Sequence, residues 1–189
     1  MSVPRFLLIT GLPATGKTTL ARTVASRYSA ALIEKDCVKE PLLDSIGAAD
    51  AAASRALSNA SFAVLFALAH VQLSCRVSLV LEGNFRPREH GVPLRRLLST
   101  ASAATGVRCA QVLCLADETV RRQRLAERAS QPGRHAGHRD ADQLDTPASA
   151  DDARAFVDIA GERFVWEGTD PAPLLQALDR WWREETCPP

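Results

Sequence analysis

The stretch GLPATGKTT, residues 11–19, follows directly on the apolar run FLLIT, residues 6–10. It completes the pattern G-x-x-x-x-G-K-[ST], with Gly11, Gly16, Lys17 and Thr18 in the required places. A short apolar run bounded by turn residues reads as a buried strand, and KTTLARTVASRY after Gly16 has the periodicity of a helix. The glycine-rich turn thus joins a strand to a helix. In that setting the glycines let the backbone curl until successive N–H groups face inward, and the helix adds the positive end of its dipole. The loop from Gly11 through Pro13, Ala14, Thr15 and Gly16 to Thr19 is therefore expected to cradle the phosphates of a nucleoside triphosphate. Lys17 is expected to reach the β- and γ-phosphates, and the Thr18 hydroxyl to bind Mg²⁺.

Outward from this turn, strand and helix signals alternate to the end of the chain, the pattern of a parallel sheet covered by helices. AALIE (30–34), VSLVLEG (77–83), VRCAQVLCL (107–115) and ERFVWEG (162–168) read as strands. Between them, residues 37–75 read as helical in two or more pieces broken near Gly47, and residues 93–105 as a helix. A further helix runs to Ala129 with Asp117 as its N-cap. A helical stretch is expected around 151–160, and a closing helix in PAPLLQALDRWWREE. Residues 130–149 are polar, hold two glycines and two prolines, and show no apolar period. A loop of that length within a compact domain is usually functional or mobile, so a mobile lid is expected there.

The 189 residues suit one domain, 1–189, and no linker or internal repeat divides them. A net charge of +1 offers no general electrostatic reason to bind nucleic acid or an anionic membrane. The five cysteines are odd in number and form no C-x-x-C pair, which fits unpaired thiols in a reducing cytosol. The N-terminus lacks the charged region and long apolar core of a signal peptide. The longest apolar segment, residues 60–73, is shorter than a bilayer requires and carries His70 and Gln72, so it reads as a buried helix. A cytoplasmic protein without a membrane partner is expected.

Four groups of residues carry chemistry. The phosphate loop is the first. Asp36 lies just past the second strand, at the carboxyl end of the sheet where ligands bind in open α/β folds. A base that takes a proton from an attacking hydroxyl and a simple helix N-cap are both open readings of it. Lys39, one turn further, falls on the same side of that helix, in place to hold an acceptor. Glu82 closes the apolar third strand, an expensive position for a carboxylate unless it is paired or faces the site. It is expected to hold Mg²⁺ through water or to orient the acceptor, with Asn84 and Arg86 on the loop that follows. Arg121, Arg124 and Arg128 recur at i, i+3 and i+7 on a helix leading into the 130–149 loop, an arrangement suited to neutralising phosphoryl-transfer charge under a closing lid. His135 and His138 have no nearby cysteine to complete a metal site.

Taken together, GLPATGKTTLA, IEKDCVKEPLLDSIG, VLEGNFRP, the arginine-rich helix and RHAGHRD resemble the small P-loop kinases related to polynucleotide kinase. More closely they resemble bacterial kinases of the AAA-type ATP-binding class, a grouping that includes chloramphenicol phosphotransferase and zeta-toxin-like sugar-nucleotide kinases. The resemblance implies Asp36 as the catalytic aspartate and Lys39 as a basic acceptor-binding residue. It implies Arg124 and Arg128 as lid arginines, one of them packing on adenine, and places Thr169 and Asp170 beside the adenine ring. The EGN turn after the third strand and the near-neutral charge depart from the polynucleotide kinases. The expectation is thus a three-layer α/β P-loop NTPase fold, nucleoside-monophosphate-kinase-like, with a five-stranded parallel sheet and a lid. It would use ATP and Mg²⁺ to phosphorylate a hydroxyl on a small molecule. The rivals are a polynucleotide 5′-hydroxyl or nucleotide-sugar kinase and a regulatory nucleotide-binding ATPase that acts through a partner.

Overall fold

The computed structural model describes residues 3–131, 135 and 155–184. Five strands, β1 (Arg5–Gly11), β2 (Ala31–Glu34), β3 (Leu79–Gly83), β4 (Arg108–Cys114) and β5 (Glu162–Trp166), form one sheet in the order β2-β3-β1-β4-β5. All four pairings are parallel. The described helices are α1 (Lys17–Tyr28), α2 (Lys35–Ile46), α3 (Ala51–Ser74), α4 (Pro87–Thr105), α5 (Glu118–Ala129) and α6 (Ala172–Arg183). This is the expected α/β P-loop NTPase fold.

Period-two alternation in the central strand divides the core into two layers. Phe6 and Leu8 face one way and pack with Phe62, Leu65, Leu94 and Leu98 of α3 and α4. Leu7 and Ile9 face the other way, against Leu20 and Val24 of α1 and Leu178 and Trp181 of α6. All four strand residues are fully buried, and each contributes on the order of 2 kcal/mol of apolar burial. A strand covered on both faces reads as a continuous apolar run, which is why FLLIT shows no alternation. Helix α3 is long and apolar enough to cross a bilayer by length and composition. Here it lies on the sheet layer through Phe62, Leu65, Ala69 and Leu73.

Three sequence expectations are corrected. Helix α4 begins at Pro87, six residues before the expected start. Proline at the first helical position lacks only an N–H that would be unpaired anyway, and the internal Pro93 is exposed. Residues 155–161 are not helical, and residues 151–154 lie outside the described residues. Val157 and Ile159 are both buried, at a spacing of two that an extended chain satisfies and a helix does not, and Arg95 holds Asp158 by its carbonyl at 2.9 Å and its carboxylate at 2.7 Å. Strand β2 passes straight into α2, so Lys35 and Asp36 are helical. Of the expected 130–149 lid, only Ser130, Gln131 and His135 fall within the described residues. Cys37, Cys75, Cys109 and Cys114 are free thiols, and Cys187 lies outside the described residues.

Candidate active site

The loop after β1 is shaped by positions that admit no other geometry. Gly11 sits at φ +152°, and a Cβ there would meet the Cys114 carbonyl oxygen at 2.3 Å. Gly16, at φ +91°, is in the left-handed region and forms the N-cap of α1. Ala14 is also left-handed, at φ 66°, and fully buried, while the Thr15 hydroxyl donates to the Leu12 carbonyl at 2.9 Å. Gly11→Ala should therefore force β1 and β4 apart. We expect a loss of about 3 kcal/mol or more in urea unfolding, combining backbone strain with overpacking. A stability within 0.5 kcal/mol of wild type, on the order of an ordinary surface substitution, would contradict this geometry.

Helix α1 has no capping side chain and no acidic residue in its first turn. By contrast, α3 and α5 are capped by Asp50 and Asp117, whose carboxylates accept from the first-turn amides. The uncapped amides of α1, the positive end of its dipole and the curled glycine loop fit an anionic phosphate chain. Lys17, at the same position, donates to the Leu12 carbonyl at 3.3 Å and lies 3.8 Å from Glu82 Oε1. The Thr18 hydroxyl donates to the same Glu82 oxygen at 3.4 Å. A hydroxyl and a carboxylate together at the phosphate loop are the donor set that suits Mg²⁺, directly or through water.

Glu82 is only 3% exposed. Burial pushes its carboxyl above the usual carboxylate range, Lys17 opposes that, and the nearby Asp36 and Glu34 add to it. The neighbouring carboxylate in register on β2, Glu34, is satisfied separately: Arg22 donates to both of its oxygens at 2.7 and 2.8 Å, and the Cys37 thiol donates to one at 3.1 Å. Burial works to raise Glu34, but these hydrogen bonds outweigh it and hold the carboxyl below its ordinary value.

Asp36 occupies the first turn of α2, whose N-cap is Glu34, so it is not the residue that caps that helix. Its side chain is 46% exposed, and the Lys35 ammonium lies 3.5 Å from its Oδ1. Lys39 follows on the same helix and its ammonium reaches the Ser54 hydroxyl of α3 at 3.5 Å. The structure thus brings Lys17, Thr18, Glu82 and Asp36 to one end of the sheet. Asn84 is half-buried in the turn after β3, which Thr10 fastens by accepting from the Phe85 amide at 3.0 Å and donating to its carbonyl at 3.2 Å. Arg86 is exposed and paired with Glu89 at 2.9 Å, at the start of α4.

On the other side of the phosphate loop lies a cleft of about 390 Å³ walled by Ala14, Gly16, Thr19, Arg124, Arg128, Trp166 and Thr169. Arg124 donates to the Ala14 carbonyl at 3.3 Å. Arg121 does not join it: 3% exposed, it is held by two hydrogen bonds to Glu118 at 2.9 and 2.7 Å. Asp170 accepts from the Ala172 amide at 2.9 Å and belongs to the start of α6. His135 lies 2.9 Å from Asp44 of α2, and His138 is outside the described residues. Two residues of the site were absent from the sequence expectations. Trp166, at the end of β5, packs its ring edge toward Gly16, where a Cβ would approach it to 3.1 Å. Lys35 stands beside Asp36. Their signal was position alone, since each sits at the carboxyl end of a strand.

The sequence profile of the AAA domain family matches residues 6–149. Among solved structures, a "putative kinase" from Chloroflexus aurantiacus is 26% identical, with a TM-score of 0.80 over 97% of this chain and 99% of that one. An APS kinase of Mycobacterium tuberculosis, solved with AMPPNP and APS, is 18% identical at a TM-score of 0.57, covering 97% of this chain and 100% of that one. Kti12 of Chaetomium thermophilum, solved with ADP-AlF3, is 16% identical at a TM-score of 0.59, covering 94% and 97%. The latter two share the fold. No curated protein matches the chain.

Proposed function

We infer that this chain, which belongs to the AAA domain family, is an ATP-dependent kinase that passes the γ-phosphoryl group of ATP to a hydroxyl of a small molecule. The observation that carries this reading is the placement of a partly exposed carboxylate, Asp36, beside the Lys17–Thr18–Glu82 cluster at the mouth of the phosphate loop. A site that only held a nucleotide would not need an acid there. Asp36 takes the proton of the acceptor hydroxyl as its oxygen bonds to the γ-phosphorus. The bond from that phosphorus to the β–γ bridging oxygen breaks, and ADP leaves with the electron pair. Lys17 and the loop amides bind the phosphates and carry the charge that builds on the leaving oxygen. Thr18 and Glu82 would hold Mg²⁺, which when bound neutralises charge shared between the β- and γ-phosphates. The cleft walled by Trp166 and Thr169 suits the base, with Arg124 and Arg128 on its rim.

The test is ADP release against a panel of sugars, nucleotide sugars, hydroxylated antibiotics and 5′-hydroxyl oligonucleotides. A small hydroxyl compound should raise the rate well above the acceptor-free background and appear phosphorylated by mass. Turnover confined to oligonucleotide ends would move the reading to a polynucleotide kinase. A rate that no acceptor alters would favour a regulatory ATPase.

A further inference from the structure

Every lysine of the chain, Lys17, Lys35 and Lys39, stands at this one end of the sheet. Lys35, the first residue of α2, is largely enclosed. Its side chain is 16% exposed, its Cβ packs so near the β3 terminus that a Cβ on Gly83 would be 3.1 Å away, and its ammonium lies 6.0 Å from the centre of the Phe62 ring. Burial, then Lys39 and Lys17, all work against its charge, while Asp36 supports it. An ammonium so placed is costly unless an anion compensates it.

Asp36 compensates Lys35 only while ionised. Once Asp36 accepts the acceptor's proton, Lys35 loses its countercharge at 3.5 Å, and Lys17 is committed to the phosphates of ATP. With a neutral acceptor, Lys35 therefore opposes the proton transfer that Asp36 must perform. With an acceptor that brings its own anion, the ammonium stays compensated through the step and the carboxylate is released to act as base. We propose that the acceptor is a hydroxyl compound that also carries an anionic oxygen group, a phosphate, sulfate or carboxylate, bound by Lys35 together with Lys39. This rests on the kinase reading with Asp36 as base.

Because the chain has three lysines, their side chains can be followed singly in full-length protein labelled with ¹³C at lysine Cε, each signal assigned by its Lys→Arg variant. Adding AMPPNP and Mg²⁺ should move Lys17, and a Lys17 signal blind to nucleotide would instead contradict the kinase reading. With nucleotide saturating, inorganic phosphate should move Lys35 and Lys39 saturably and leave Lys17 in place, with acetate as a parallel arm to rank a carboxylate against a phosphate. Lys35→Met should weaken the phosphate response of Lys39 at least ~10-fold while Lys17 still answers to nucleotide, which shows the variant is folded. The proposal is overturned if neither anion moves Lys35 in the nucleotide complex, or if Lys39 responds in Lys35→Met as it does in wild type.

Discussion

Lys17→Met should abolish phosphoryl transfer to every acceptor, lowering kcat/KM by about three orders of magnitude or more, since a cation that neutralises transferring phosphate is worth ~10³–10⁵ in rate. The lysine begins α1, where the loop amides converge, and no other lysine stands on that loop to replace it. The same substitution has a consequence for stability that can be separated from the loss of activity. Glu82 is buried and its carboxyl already sits above its ordinary value of 4.5 because of burial, with Lys17 opposing the rise. A carboxyl raised on folding holds its proton more tightly in the native state, so stability falls as pH rises from about 4.5 through the native value. Without Lys17 the native value should lie higher still, so the fall should extend to higher pH and be larger in total. The variant should match wild type near pH 4 and lose ground by pH 8 in thermal melts. Lys17→Met combined with Glu82→Gln should regain stability at pH 8 and remain inactive. A double variant that stays unstable, or a single variant that keeps more than a tenth of its activity, would contradict this account.

Asp36→Asn should behave differently. Asparagine keeps the shape but cannot accept the hydroxyl proton, and a positioned base contributes ~10²–10⁴ in rate. We expect kcat to fall by at least ~100-fold, while the dissociation constant for AMPPNP, measured by calorimetry, stays within about twofold of wild type. The separation follows from the geometry, since Lys17 and Thr18 both meet Glu82 at the phosphate loop. An unchanged kcat would remove Asp36 as base. A large loss of nucleotide affinity would make it part of the phosphate site instead.

Much of this architecture is legible in the sequence because it depends on local periodicity. FLLIT, the G-x-x-x-x-G-K-[ST] turn and the helix after it are each set by neighbouring residues, and Asp117 caps α5 as its position before ETV suggests. What periodicity misses is depth along an element. Arg121, Arg124 and Arg128 share a helix face, but seven residues of helix span about 10 Å, so Arg128 lines the cleft beside the phosphate loop while Arg121 stays with Glu118. The same holds at 155–161, where burial of Val157 and Ile159 in the core layer they share with α3 and α4 decides against a helix. Lys35 carries no signal of its own because a lysine at a strand end is ordinary in sequence. Its enclosure comes from Phe62 and Gly83, which are remote in the chain.

The wall of the cleft beside the phosphate loop has a bearing on biosynthesis. The phosphate loop comes early in the chain, whereas Trp166 and Thr169, which line the cleft with Gly16 and Ala14, belong to the last described strand and the turn after it. At ribosomal speeds of about 5–20 residues per second, the interval between synthesis of the two is on the order of ten seconds. During that interval a nascent chain carries the glycine-rich turn without the wall that β5 and the turn after it supply. The cleft is therefore completed late in translation, when β5 joins the edge of the sheet beside β4.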